Sequence, residues 1–145
     1  MSALDGPTQH PGEVKQQVRI LVIEDEKRIG EFVARGLESA GYTVESAEDG
    51  ASGLERLHAT EYDLIILDLH MPVLDGFGAF RELRGDERFT ATPIVALTAS
   101  AMQGDRELAL SAGFTGYLAK PISLHVLRRE IDRLLGEESP YVVGA

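Results

Sequence analysis

Three short apolar runs, each closed by a polar residue, constrain the fold of this chain more than any other feature. Residues 18–23 (VRILVI) end at Glu24-Asp25-Glu26, residues 64–67 (LIIL) at Asp68, and residues 94–97 (IVAL) at Thr98. Runs this short suit buried strands and are too short for an ordinary helix. In a parallel sheet, ligands collect beyond the carboxyl ends of such strands. The stretch from Tyr62 to Gly76, YDLIILDLHMPVLDG, therefore centres the reading on Asp68.

Between the runs, the apolar pattern turns helical. Ile29, Phe32, Val33 and Leu37 recur at helical spacing, and Ala40-Gly41 closes that helix. Residues 42–46 alternate, as a half-exposed edge strand does. Residues 51–58 form a second helix with Leu54 and Leu57 inward. Asp75-Gly76 caps a third, which carries Phe77, Phe80 and Leu83 on one face. After a polar loop over 85–92 and the strand at 94–97, Ser100 caps a weak helix over 101–112, interrupted by Gly104 and poor in apolar residues. Residues 114–119 read as the last strand. Ser123 then caps an amphipathic helix with Leu124, Leu127, Ile131, Leu134 and Leu135 inward and Gly136 as its stop. Five strands alternating with five helices call for an α/β fold: a doubly wound five-stranded parallel sheet covered on both faces. The expected organisation is a flexible leader over 1–17, one domain over 18–136 and a tail over 137–145.

Composition narrows the function. The 145 residues carry a formal charge of −10 and no cysteine. An acidic surface disfavours nucleic acid, which needs a basic footprint, and an anionic membrane. Zero cysteines exclude a disulfide framework, thiol catalysis and Cys-ligated metals. With no signal-peptide core and no apolar span, the expected location is cytoplasmic. His10, His58 and His125 stand in no metal-binding spacing and are expected at the surface. Arg128, Arg129 and Arg133 form a basic stripe on the last helix.

The polar residues fall at one kind of place. Glu24 and Asp25 follow the first strand, Asp68 the third, Thr98 the fourth and Lys120 the fifth. Parallel strands bring these ends to one edge. Three carboxylates there repel, so without help at least one is pushed to hold a proton. Mg²⁺ takes oxygen ligands, typically one or two carboxylates plus phosphate, and with Lys120 it balances the three acids. Asp68 then becomes a candidate nucleophile toward phosphorus, forming an aspartyl phosphate. Lys120 and the Thr98 hydroxyl are placed to hold the phosphoryl oxygens.

On these residues the sequence resembles the receiver domains of two-component response regulators. The resemblance covers about residues 18–135. It rests on Ile23-Glu24-Asp25, Leu67-Asp68-Leu69-His70-Met71-Pro72 with Asp75-Gly76, Ala96-Leu97-Thr98-Ala99, and Gly116-Tyr117-Leu118-Ala119-Lys120-Pro121. It implies a flavodoxin-like sheet of strand order 2-1-3-4-5 and Asp68 as phosphoacceptor. The implied Mg²⁺ ligands are Asp25, Asp68 and the His70 main-chain carbonyl, with Glu24 acting through a metal-bound water. It further implies Thr98 and Tyr117 as the switch pair, Lys120 as reader of the phosphoryl group, and a cis Lys120-Pro121 bond. His70 and Ser100 match positions that tune the lifetime of the phosphoryl group. The fourth helix, last strand and fifth helix form the implied output face.

The resulting expectation is a single-domain response regulator that takes a phosphoryl group from a sensor histidine kinase or a histidine phosphotransfer protein. It signals to a downstream protein target, as a monomer or a phosphorylation-sensitive homodimer, and catalyses only its own phosphorylation and dephosphorylation. One alternative is a receiver excised from a hybrid histidine kinase. Another is a phosphatase with an aspartyl nucleophile, which generally carries a second Asp two residues on, where this chain has His70. A flavin carrier would need a Ser/Thr/Gly-rich loop where this chain has three acids.

Overall fold

Alternation along the central strands decides which helix packs where. In β1 (Arg19–Ile23), Ile20 and Val22 face one way and Leu21 and Ile23 the other, and β3 (Leu64–Asp68) and β4 (Ile94–Thr98) divide likewise. Ile20, Val22, Leu64, Ile66, Val95 and Leu97 form a cluster with Val33 and Leu37 of α1 (Lys27–Glu38) and with Leu127 and Ile131 of α5 (Leu124–Gly136). The opposite face packs on α2 (Gly50–Ala59), α3 (Gly76–Arg84) and α4 (Gln103–Ala112) through Leu54, Leu57, Phe80, Leu83 and Ala109. Strands covered on both faces have no polar side to present, which is why β3 and β4 read as unbroken apolar runs.

The computed structural model describes residues 17–71, 76–99 and 103–136, and the side chains of these except at 76–77 and 103–105. With β2 (Thr43–Ala47) and β5 (Gly116–Ala119), the strands form one parallel sheet of order β2-β1-β3-β4-β5. This is the expected doubly wound architecture. β2 lies at an edge, as expected, but its burial does not alternate: Thr43, Val44 and Glu45 are half-buried in succession, Ser46 is exposed and Ala47 is buried. Register sets Asp68 beside Leu97 and Thr98 beside Ala119, so the carboxyl ends line one edge. The caps expected from Asp75 and Ser100, the leader over 1–17 except Gln17, and the tail over 137–145 lie outside the described residues.

Four local readings change. The last strand begins at Gly116, because the Phe114 N–H bonds back to Ala109 O at the end of α4 while its ring stacks on Phe80 at 4.0 Å between centroids. The polar loop over 85–92 contains a 3-10 turn, Glu87–Phe89, with Phe89 buried and Arg84 binding the Phe89 and Thr92 carbonyls. Phe32 is 44% exposed because the buried stripe of α1 runs through Gly30, Val33, Gly36 and Leu37, about a quarter-turn away. Leu124, at the first turn of α5, lies over Gly36 and stays 36% exposed. Of the basic stripe, Arg128 bonds Ser39, the residue after α1, and Arg133 bonds Glu130. His58 and His125 are exposed, as expected.

Gly41 ends α1 with φ +103°, and the Tyr42 N–H returns to Leu37 O at 3.1 Å. A Cβ there would meet nothing within 4 Å, so a substitution acts through backbone strain alone. Gly41→Ala is expected to lower unfolding free energy by about 1–2 kcal/mol. Urea denaturation with an unchanged m-value checks this.

Candidate functional site

The strand ends deliver their polar residues to one point. Carboxylate oxygens of Glu24, Asp25 and Asp68 lie within 4.8 Å of one another. Lys120 follows β5, and its ammonium stands 3.1 Å from Glu24 Oε1 and 3.5 Å from Asp68 Oδ2. The Lys120 main-chain N–H donates to Thr98 O at 2.7 Å, which ties the chain after β5 to the end of β4. The Lys120-Pro121 bond is cis. Asp68 and Thr98 are fully buried and Glu24 nearly so, whereas Asp25 is exposed at the rim. Tyr117 is half-buried on the face covered by α2, α3 and α4.

Main-chain donors hold two of the acidic oxygens. The Glu26 N–H, at the start of α1, donates to Glu24 Oε2 at 2.9 Å, and the His70 N–H donates to Asp68 Oδ1 at 3.1 Å. Glu24 Oε1 and Asp68 Oδ2 are buried with no hydrogen-bond partner, although each has ion-pair contact with Lys120. Burial, aided by the Asp68 charge, pushes the Glu24 carboxyl up to about 7, against the opposing Glu26 N–H and Lys120. Asp68 is also raised, chiefly by burial and further by Asp25, while the His70 N–H and Lys120 pull the other way. Burial alone would lower Lys120, but the Glu24 hydrogen bond and the Asp68 charge outweigh it and raise the ammonium. The lysine therefore stays charged and the acids titrate. One acid holding a proton was expected from mutual repulsion; desolvation is the larger cause.

These features fit a hard divalent cation. Two unsatisfied buried carboxylate oxygens lie with a third acid in an all-oxygen donor set, and one lysine opposes three acids. Magnesium accepts such donors. Two contributions escaped the sequence. The Glu26 amide was signalled by its place at a helix start, where N–H groups lack intrahelical partners. The other is the His70 imidazole, whose Nε2 lies 3.2 Å from Thr98 Oγ1 and which no spacing rule announces.

Comparison with known proteins agrees with this geometry. The chain belongs to the response regulator receiver domain family, whose profile matches residues 20–132. It is 38% identical over 118 residues to the transcriptional activator protein IrlR of Burkholderia pseudomallei, covering 81% of this chain and 50% of IrlR. It is 34% identical over 134 residues to the sensor protein EvgS of Escherichia coli, covering 92% of this chain and 11% of EvgS. The chain thus spans half the length of IrlR and a small part of EvgS. The receiver domain of the sensor histidine kinase PA1611 from Pseudomonas aeruginosa superimposes with a TM-score of 0.75 at 41% identity, covering 83% of this chain and 98% of that domain. That structure has a magnesium ion coordinated in its active-site cleft.

The Glu24 shift has a defined sign. A carboxyl raised on folding contributes stability that is present below its unfolded value of 4.5 and lost as pH rises through about 7. Without divalent cations, Glu24→Gln is expected to gain roughly 1–3 kcal/mol relative to the parent between about pH 4.5 and about pH 8. Urea denaturation at the two pH values checks this.

Proposed function

We propose that the chain is a phosphorylation-driven signalling module in which Asp68 accepts a phosphoryl group from the phosphohistidine of a sensor kinase or a histidine phosphotransfer protein. The observation that carries the reading is Asp68 itself: buried at the end of β3, beside two further acids, with the Lys120 ammonium 3.5 Å from its free oxygen. An Asp68 oxygen bonds to phosphorus as the P–N bond of the donor breaks, and the electron pair returns to the imidazole nitrogen, which takes up a proton. Lys120 balances charge on the phosphoryl oxygens, and the Thr98 hydroxyl donates to one of them. Glu24, Asp25, Asp68 and the His70 main-chain carbonyl would hold Mg²⁺. When bound, the ion offsets the repulsion among the acids and draws charge from the phosphoryl oxygens.

The message leaves through α4, β5 and α5 to a protein partner. Among the described side chains of α4, Ala109 is buried while Leu108 and Leu110 are 58% and 40% exposed. So thinly anchored a helix belongs at the low-stability end, from which moving elements are drawn. Tyr117, on the same side of the sheet, moves with Thr98. With net charge −10, the target is a protein rather than nucleic acid. The chain turns over no external phosphomonoester, since His70 stands where an acid/base Asp would be needed. No helix among the described residues is long and apolar enough to cross a membrane, in keeping with a cytoplasmic module. Likeness to EvgS and to the PA1611 receiver favours a second placement for the same chemistry, an internal step of a relay that passes the phosphoryl group on.

Labelling with a small radioactive phosphodonor and Mg²⁺ tests the assignment. The parent is expected to take up one base-labile phosphoryl group per chain and Asp68→Asn none. Equal labelling of Asp68→Asn would remove Asp68 from the role.

A further inference from the structure

The contact between His70 and Thr98 is not absorbed by the phosphoacceptor chemistry. Thr98 is fully buried at the end of β4, and its Oγ1 lies 3.2 Å from His70 Nε2. His70 is exposed, and its main-chain N–H is bound to Asp68 Oδ1 at 3.1 Å. One residue therefore grips the acceptor carboxylate with its backbone and the threonine hydroxyl with its side chain. A buried hydroxyl requires a partner, and the imidazole reaches across from the end of β3 to provide one.

We propose that His70 is a positioning residue that latches Thr98 in the resting state, so that a phosphoryl group on Asp68 must take the hydroxyl from the imidazole. The proposal rests on Asp68 being the acceptor. The latch requires the Nδ1–H tautomer of His70, in which Nε2 accepts the one proton that the threonine hydroxyl can donate. Phosphoryl oxygens only accept, and a hydrogen bond to an ionised acceptor is roughly twice as strong as a neutral one. The phosphoryl group wins the competition, and the exposed ring turns to water at little cost. His70 thereby sets how readily Thr98 moves, a property separate from the lifetime of the phosphoryl group. The shift begins at Thr98, on the sheet face that packs against α4.

Beryllofluoride with Mg²⁺, a stable stand-in for the phosphoryl group on a carboxylate, provides the test. Its affinity is measured by calorimetry for the parent, His70→Ala, Thr98→Ala and the double variant. Loss of the latch is expected to tighten binding by about two- to tenfold in His70→Ala, the range of one neutral hydrogen bond. The gain should vanish in the Thr98→Ala background, a non-additivity that a merely structural role would not give. His70→Gln, whose amide can again accept from the hydroxyl, should return toward the parent. Unchanged or weaker binding by His70→Ala overturns the latch while leaving Asp68 as acceptor. So does a gain that persists without the Thr98 hydroxyl. Failure of the folded parent to bind beryllofluoride removes the acceptor reading and the latch with it.

Discussion

Two carboxylates withdrawn from water beside a single lysine set the conditions for everything else at the sheet edge. Glu24 and Asp68 each keep one oxygen on a main-chain N–H and leave the other without a hydrogen bond, in ion-pair contact with the Lys120 ammonium. Desolvation disfavours their charged forms, and one cation incompletely offsets three acids. A fold selected for stability alone would not bury such a group; replacing buried charges with apolar residues is commonly neutral or stabilising. The arrangement makes sense as a site completed by a cation.

The fold supplies the convergence at low cost because parallel strands all point the same way. Beyond Arg19 at the start of β1, the strands β1, β3, β4 and β5 carry apolar residues to both helical layers and release charged or hydroxyl side chains toward the site only at their last position or the next. The helices pack closely where the site is built. At the end of β1, α2 comes so near that a Cβ on Gly53 would strike Ile23. α4 is held less firmly, and the contrast between a closely packed acidic edge and a thinly anchored helix is what makes a switch physically reasonable.

Much of this was legible because burial on two faces writes itself into sequence as uninterrupted apolar runs. The buried strands and the meeting of Glu24, Asp25, Asp68, Thr98 and Lys120 derive from that signal, whereas the edge position of β2 follows from its alternation and the strand order from the resemblance alone. Residues serving two elements at once were misread. Phe114 has strand-like chemistry, yet its N–H belongs to the end of α4 and its ring to Phe80. Phe89 sits in a polar segment but is buried, with Arg84 satisfying the carbonyls around it. Phe32 fits a helical count and falls off the buried stripe. The His70–Thr98 contact depends on a rotamer spanning two strand ends, which no one-dimensional pattern encodes.

The central claim is that the acidic edge carries a charge imbalance which a divalent cation relieves. Mg²⁺ titration by calorimetry, in buffers of differing protonation heat, tests it most directly. With Glu24 raised to about 7, binding must displace its proton at lower pH. The expected result is release of about one proton per ion near pH 6, falling to none above about pH 8, with affinity rising in between. An affinity independent of pH, with no proton released, would contradict the claim.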